Sequence, residues 1–331
     1  MTSQVSSILA LSLIKGIGPS FIRRVEPTLR FDSANLAVGD LQGLAQLLEA
    51  TLQKHGKNAD ASQIMHAVSR AQDIVDECVN SGIGVSTIGL PTYPDKFVGI
   101  RNPPPVVYLR GKQELLAGKV ATIIGSRHAT TEALAIAKRI GERFMACGYS
   151  ICNGLAAGVD SAALNLDRVS PFAIGVIGSG LGKRDLDGLS ASYKENVAQL
   201  LASENGLLLS TNHLGTKQSS YTAIDACTYQ AALADVVVLV ESSTEGGSRF
   251  TLKAAAQFSR PMGVVWRTSW DEESNHRSLN LKLIRESEAS GHIHADGLAG
   301  QSPVIVLRDS RSYDLLDQLL DTSTSQIPLG L

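Results

Sequence analysis

The chain has 331 residues, 44% hydrophobic and 19% charged, and its 30 basic against 32 acidic side chains give a formal net charge of −2. This balance excludes a globally basic nucleic-acid-binding protein, so any affinity for nucleic acid must come from a local patch. No apolar run approaches the ~20 residues of a membrane span, and no signal-peptide pattern is evident, so we expect a cytoplasmic protein of two or three domains with no membrane partner.

The first 85 residues predict a small helical domain. Two apolar segments, residues 8–14 and 21–25, flank the turn Lys15-Gly16-Ile17-Gly18-Pro19-Ser20. This arrangement resembles a helix-hairpin-helix, whose backbone amides can hold a DNA phosphate; a helical packing module without nucleic-acid contact is an equal alternative. Apolar residues at helical spacing predict a further helix over residues 61–81.

A strand at residues 85–88 precedes a connector that is rich in proline. Three consecutive prolines, Pro103-Pro104-Pro105, force extended backbone without ladder donors. We therefore expect residues 93–111 to form an ordered connector that ends in a strand.

From Lys119 the chain alternates buried strands with helices. The predicted strands are residues 120–124, 149–152, 173–177, 207–209, 236–240, 262–265 and 304–307, and the predicted helices are residues 131–147, 193–203, 223–233, 249–258 and 313–320. Near-continuous apolar strands that alternate with helices predict a doubly wound, mostly parallel α/β sheet. Right-handed crossovers then bring the glycine-rich turns to the carboxyl edge of this sheet.

The turn Gly125-Ser126-Arg127 is the leading candidate for a phosphate site. Glycine allows close approach of the backbone, a helix N-terminus favours anions, and arginine adds a permanently charged fork. The alternative is a tight turn with Arg127 in a structural ion pair. The other candidates come from the remaining turns: Gly154, Gly158, Gly178, Ser179, Gly180, Lys183, Arg184, Gly246, Gly247, Ser248, Arg249, Thr251 and Lys253. Steric need for glycine and solvated surface charges explain these equally well.

Metal chemistry and acid–base catalysis find little support. Asp160 is expected to be an N-terminal cap or a dipole partner of a helix rather than an acid catalyst. Trp266 and Trp270 are expected to pack rather than stack on bases. The four cysteines lack metal spacing and are expected to be buried free thiols. Four histidines lie in polar stretches and are expected to be solvated: His213, His276, His292 and His294. The pair His292 and His294 could suggest a metal site, but no third ligand lies at a suitable spacing.

The ordered set of motifs resembles the DNA-processing protein A (DprA/Smf) family over residues 90–297. The set is Tyr93-Pro94, Pro103-Pro104-Pro105 with Tyr108, Gly125-Ser126-Arg127, Gly154-Leu155-Ala156-Ala157-Gly158-Val159-Asp160, Gly178-Ser179-Gly180-Leu181, and Gly247-Ser248 with Thr251. The resemblance implies an extended Rossmann-like domain that binds single-stranded DNA without sequence specificity, dimerises, and hands the strand to a RecA-type recombinase, without chemistry or cofactor. We therefore expect a helical domain at residues 1–85 and a Rossmann-like domain at residues 86–300. The winged helix that ends many family members is not apparent, and residues 301–331 are instead expected to form a strand–helix extension.

The chain departs from the family pattern at several positions. The usual Arg-Asn-Arg run is Ala226-Cys227-Thr228 here, which removes two phosphate-binding arginines. The other departures are Ala163-Leu164 for Ala-His, Ser210-Thr211 for Ser-Glu, and Val264-Val265-Trp266 for Val-Pro-Gly.

Three hypotheses follow for the function. The leading one is a non-catalytic protein that binds single-stranded DNA in DNA processing and recombination. The second is a regulatory protein with an eroded DNA site that recruits or restrains a cognate protein, as in a defence or toxin–antitoxin setting. The third is a nucleotide-binding enzyme; however, the turn Glu245–Thr251, which is similar to that of enzymes that cleave nucleoside monophosphates, is followed by a helix without the catalytic glutamate.

Overall fold

The computed structural model describes residues 3–165, 172–290, 294–295, 298–299 and 302–324. The chain forms two compact units. The smaller unit comprises residues 1–110, 178–188 and 209–218, and the larger unit comprises residues 111–177, 189–208 and 219–331. The predicted boundaries at residues 85 and 300 stay predictions.

The helices and strands alternate along most of the chain. The α-helices are α1 (Ser3–Leu13), α2 (Pro19–Ser33), α3 (Leu41–Lys54), α4 (Ala61–Asn80), α5 (Asp95–Val98), α6 (Thr131–Ala146), α7 (Val159–Leu164), α8 (Lys183–Asp187), α9 (Ala191–Ala202), α10 (Ser220–Leu233), α11 (Ser248–Gln257), α12 (Ser278–Ser290) and α13 (Ser310–Thr324). The strands are β1 (Gly84–Thr87), β2 (Val106–Gly111), β3 (Lys119–Ile124), β4 (Tyr149–Asn153), β5 (Ala173–Val176), β6 (Gly206–Ser210), β7 (Val236–Leu239), β8 (Met262–Val265), β9 (His294–Ala295), β10 (Leu298–Ala299) and β11 (Val304–Leu307).

The smaller unit contains helices α1 to α5 and the antiparallel pair β1–β2. Helix α4 forms because Asp60 caps its first turn, accepting from the Gln63 amide, and because one face is apolar and buried. Pro19 begins α2, where its missing amide donor costs nothing. The connector is ordered as predicted: it contains the short helix α5 and ends in β2, and the Tyr93 hydroxyl donates to the Pro104 carbonyl at 2.7 Å.

In the smaller unit the prediction that His213 is solvated is wrong. Its Nδ1 lies 2.8 Å from the Tyr108 hydroxyl, and its Nε2 lies 3.3 Å from the Ser12 hydroxyl. Burial lowers the pKa of His213 to about 4, and the nearby charge of Arg70 acts in the same direction. The ring is therefore neutral at physiological pH and joins three distant segments of the chain.

The larger unit is built on a sheet with the strand order β6-β5-β4-β3-β7-β8-β11. The pairs β4–β5, β3–β4, β3–β7, β7–β8 and β8–β11 are parallel. The four residues of β7 are all buried, as a strand inside a covered parallel sheet requires. Since β3 lies between β4 and β7, with Thr122 beside Cys152 and Ile124 beside Leu239, the carboxyl ends of these three strands are neighbours.

The predicted states of the cysteine, tryptophan and histidine side chains differ in their outcome. The four cysteines are free thiols, but Cys147 is exposed, so the prediction that all are buried is wrong. Trp266 and Trp270 pack edge to face with ring centres 5.9 Å apart, as predicted. His292 lies outside the described residues, and His294 begins β9. No helix within the described ranges combines the length and apolarity needed to cross a membrane.

Candidate functional site

Three loops meet at the carboxyl ends of β3, β4 and β7. We call them the β3 loop (residues 125–130), the β4 loop (residues 154–158) and the β7 loop (residues 240–247). The Ser126 amide donates to the Glu241 carbonyl at 2.7 Å, and the Val159 amide donates to the Ser126 carbonyl at 3.1 Å. The structure thus brings together the predicted residues of the first two loops and the start of the third.

Close packing explains two of the candidate glycines. A Cβ atom on Gly125 would lie 2.5 Å from Val159 Cγ2 and 2.9 Å from the Glu241 carbonyl oxygen. Gly158 has φ +81°, and a Cβ there would lie 2.6 Å from the carbonyl oxygen of Arg127. Both positions therefore need glycine for loop packing, whether or not a ligand binds.

A buried carboxylate already occupies the N-terminus of α6. Glu241 is fully buried, and its two carboxylate oxygens accept from the amide and the hydroxyl of Thr130, each at 2.8 Å. Thr130 is also the cap of α6, and Glu241 pairs with Arg277 at 3.1 Å. The sequence predicts none of these contacts. The anion-binding potential of this helix end is satisfied inside the protein, so a phosphate in the β3 loop has to be held by other groups.

Arg127 is the charged residue that remains available in the β3 loop. Its side chain is exposed, and its guanidinium carbon lies 5.9 Å from the ring centre of Tyr193. Among the described residues no carboxylate forms a salt bridge with Arg127. The structural ion pair considered as the alternative is therefore absent from the described part of the chain.

Asp160 fastens the β4 loop. Its Oδ2 accepts from the amides of Gly154 at 3.1 Å and Ala156 at 3.3 Å, so it holds the preceding loop. The predicted role as N-terminal cap is wrong, whereas its position in the first turn of α7 agrees with the predicted helix-dipole partner. Burial raises the pKa of Asp160 to about 7, and the two hydrogen bonds and the charge of Arg127 oppose that shift. The Gly154 amide is consequently engaged within the protein.

The β7 loop leads directly into α11. Gly247 precedes the helix without a side-chain cap, and Ser248 begins it. Arg249 donates to the Thr244 carbonyl at 3.3 Å and lies 3.7 Å from a carboxylate oxygen of Glu245. Lys253 is exposed, one turn along the helix. An uncapped helix start beside two cations suits an anionic ligand.

Helix α10, where the resemblance implies an arginine run, carries no arginine. Ala226 is buried, and burial raises the pKa of the Cys227 thiol, a shift that the nearby charge of Arg127 opposes. Thr251 is 1% exposed, so its hydroxyl does not reach a surface where a ligand would bind.

The remaining predicted residues belong to the smaller unit. The carbonyl oxygens of Gly178 and Ser179 accept from the Asn212 amide at 3.1 Å and the Ser210 hydroxyl at 2.6 Å, and the Gly180 amide donates to Thr216. Ser179 itself is fully buried. Lys183 and Arg184 begin α8, both exposed, with no salt bridge to another described residue.

A metal centre finds no support in the described residues. No group of three histidine, cysteine, aspartate or glutamate side chains is placed there to hold an ion.

The family model and the curated relatives point to one family. The family model of DNA recombination-mediator protein A matches residues 84–299, more than half of the chain. The Smf protein of Synechocystis is 25% identical over 287 residues, which cover 82% of this chain and 67% of that protein. The DNA processing protein DprA of Bacillus subtilis is 25% identical over 210 residues, 62% of this chain and 67% of its own.

Two solved structures have the same fold. DNA processing protein A of Streptococcus pneumoniae, at 17% identity, covers 95% of this chain and 98% of its own with a TM-score of 0.68. DNA processing protein A of Helicobacter pylori is described for its single-stranded DNA binding mode. At 21% identity the match covers 72% of this chain and 96% of that protein, with a TM-score of 0.56. The predicted Rossmann-like fold with a helical N-terminal part is confirmed. The chain belongs to the DNA recombination-mediator protein A (DprA/Smf) family.

Proposed function

We propose that this protein binds single-stranded DNA without sequence specificity and acts in DNA recombination. The observation that carries the proposal is Arg127, an exposed guanidinium without a carboxylate partner in the described part of the chain, placed where the β3 and β4 loops meet. Family membership and the single-stranded DNA binding mode described for the Helicobacter pylori relative support it.

The protein contacts the single-stranded DNA mainly through the phosphate groups of the DNA. Arg127 makes the principal contact, because guanidinium matches phosphate geometry with two parallel hydrogen bonds. Lys253 and the amides at the start of α11 supply a second contact in the same unit. Arg249 adds a weaker one, since Glu245 and the Thr244 carbonyl share its donors. Lys183 and Arg184 are proposed contacts of the smaller unit.

The replaced arginine run raises the importance of Arg127. The resemblance implies two phosphate-binding arginines at positions 226 and 228, where this chain has alanine and threonine. A hydrogen bond to a charged group contributes about 1.5–3 kcal/mol. Loss of Arg127 should therefore weaken DNA binding by about tenfold or more, and equally for all sequences.

Fluorescence anisotropy with a labelled thymidine oligonucleotide at low and high salt tests this proposal. We expect binding that falls steeply with salt, and a lower affinity for Arg127→Ala. Lys119→Ala is the matched control, because it also removes one exposed positive charge, at the start of β3 and thus at the end of that strand opposite the β3 loop. Absence of binding by the wild-type protein at low salt would overturn the proposal and favour the regulatory, protein-binding hypothesis.

We further propose that the protein carries out no chemistry, forms a homodimer and delivers the strand to a RecA-type recombinase, as the resemblance implies. The helix-hairpin-helix role of the turn before α2 and the cytoplasmic location belong to the same proposal. Light scattering measures the dimer, and a pull-down with purified RecA measures the partner. A monomer at micromolar concentration, or no retention of RecA with DNA present, contradicts the respective part.

A further inference from the structure

The larger unit contains a pocket of about 380 Å³ that none of the three loops lines. It lies between α6, the carboxyl ends of β8 and β11, and the start of α13. Its apolar floor consists of four buried aliphatic side chains: Ile136, Ile140, Val265 and Leu307. Its polar lining consists of Tyr313, one carboxylate and four arginines: Asp309, Arg139, Arg143, Arg267 and Arg308. The Asp309 carboxylate accepts from the Ser312 amide at 3.0 Å, and the four guanidinium groups outnumber it.

The guanidinium groups retain donors for a ligand. Arg139 is exposed and forms no ion pair with any described residue. The other three pair with carboxylates that are 42%, 42% and 63% exposed: Arg143 with Asp317 at 2.5 Å, Arg267 with Glu132 at 3.3 Å, and Arg308 with Glu288 at 3.8 Å. Such exposed ion pairs are weak, because solvent screens both charges. Each closest contact engages one nitrogen of a group with five donors, so further N–H groups remain available to a ligand.

Tyr313 adds a planar surface and a further donor. The guanidinium carbon of Arg143 lies 5.1 Å from the centre of its ring. Burial raises the pKa of Tyr313 to about 12, although the charges of Arg143 and Arg139 oppose the shift. The phenol therefore stays protonated and can donate a hydrogen bond beside the two arginines.

We propose that this pocket binds a nucleoside phosphate. Arg139 and the free guanidinium edges match a phosphate, and the apolar floor and the Arg143–Tyr313 stack match a sugar and a flat base. The volume lies within the range of roughly 300–1,000 Å³ that is usual for small-molecule sites. A bare phosphate would leave the floor uncovered. The ligand is either a free nucleotide or one nucleotide of a bound DNA strand, and this chemistry is common to both.

Titration calorimetry with ATP and anisotropy with a thymidine oligonucleotide separate the two sources. We expect Arg139→Ala to weaken binding about tenfold to a hundredfold, and Lys138→Ala, the adjacent exposed cation that does not line the pocket, to leave it unchanged. Because both side chains are exposed, we expect the melting temperatures of both variants to match that of the wild type.

Each outcome decides the proposal. Binding of ATP that depends on Arg139 supports a free nucleotide, and Arg127→Ala should retain it. Binding of the oligonucleotide that depends on Arg139, without binding of ATP, places a nucleotide of the strand in the pocket. If neither ligand depends on Arg139, the proposal is overturned. DNA binding that depends on Arg127 alone would overturn the pocket and leave the proposed function intact.

Discussion

Replacement of Glu241 by alanine should cost the larger unit about 3–5 kcal/mol of unfolding free energy. Glu241 is fully buried, and the side chain of its partner Arg277 is only 12% exposed. Removal of the carboxylate therefore leaves a nearly buried guanidinium without its partner ion. It also removes the acceptor for the Thr130 amide and hydroxyl.

Most of this cost comes from the charge that stays behind. If so, the double variant Glu241→Leu, Arg277→Met should recover part of the loss, because it removes both charges. Glu245→Ala is the matched control. Glu245 is 89% exposed and 3.7 Å from Arg249, so its loss should cost less than about 1 kcal/mol.

Tryptophan fluorescence during urea unfolding measures this effect in the larger unit. The only two tryptophans of the chain, Trp266 and Trp270, belong to that unit. Arg277 lies 4.3 Å from the ring centre of Trp270, so the reporter is next to the perturbation. Equal unfolding midpoints for Glu241→Ala and Glu245→Ala would refute the assignment of Glu241 as the residue that holds the β3 loop to the β7 loop.

Two further predictions concern backbone conformation and pH. Gly158→Ala should destabilise the larger unit by more than about 1 kcal/mol in the same assay, because φ is +81° and the new Cβ meets backbone carbonyls. The control Gly247→Ala should be near neutral, because a Cβ at Gly247 meets open space. Equal effects of the two substitutions would contradict this prediction. The pKa of His213 is about 4 in the folded protein, against 6.5 for the free side chain. The neutral ring therefore contributes fully to the free energy of unfolding above pH 6.5. This contribution is lost as the pH falls towards 4, which lowers the free energy of unfolding by up to about 3 kcal/mol. Circular dichroism of urea unfolding should show a flatter pH dependence for His213→Gln; an unchanged dependence would count against a buried neutral ring.

The elements of the sheet were predictable because their signals are local. Strands β7 and β8 are short, continuous apolar runs. The glycine turns after β3, β4 and β7 follow parallel strands, so their position at one edge of the sheet follows from topology alone. The helix over residues 61–81 has a cap and an apolar face that are both visible in the sequence. The ordered set of motifs identified the family, and family membership agrees with the observed fold. The individual binding residues are proposals.

The contacts that hold the site together were not predictable, because they join distant segments. Glu241 sits at the end of a strand like many solvent-facing acids, and nothing nearby marks Arg277 as its partner. His213 lies in a polar stretch, yet Tyr108 and Ser12 approach it from far along the chain. Thr251 has the expected spacing from the glycine turn, but the packing of α11 against α10 buries it. The roles of these three residues depend on side-chain contacts between segments that are distant in the sequence, and patterns along the sequence do not reveal such contacts.

The most direct test of the central claim is the salt dependence of oligonucleotide binding by Arg127→Ala. A phosphate contact to single-stranded DNA contributes about 0.7 to the slope of log affinity against log salt. We predict that Arg127→Ala lowers the affinity about tenfold or more and lowers the slope by about 0.7, the value for one phosphate contact, whereas Lys119→Ala changes neither. An affinity and slope for Arg127→Ala equal to those of the wild type would contradict the claim that Arg127 holds a DNA phosphate.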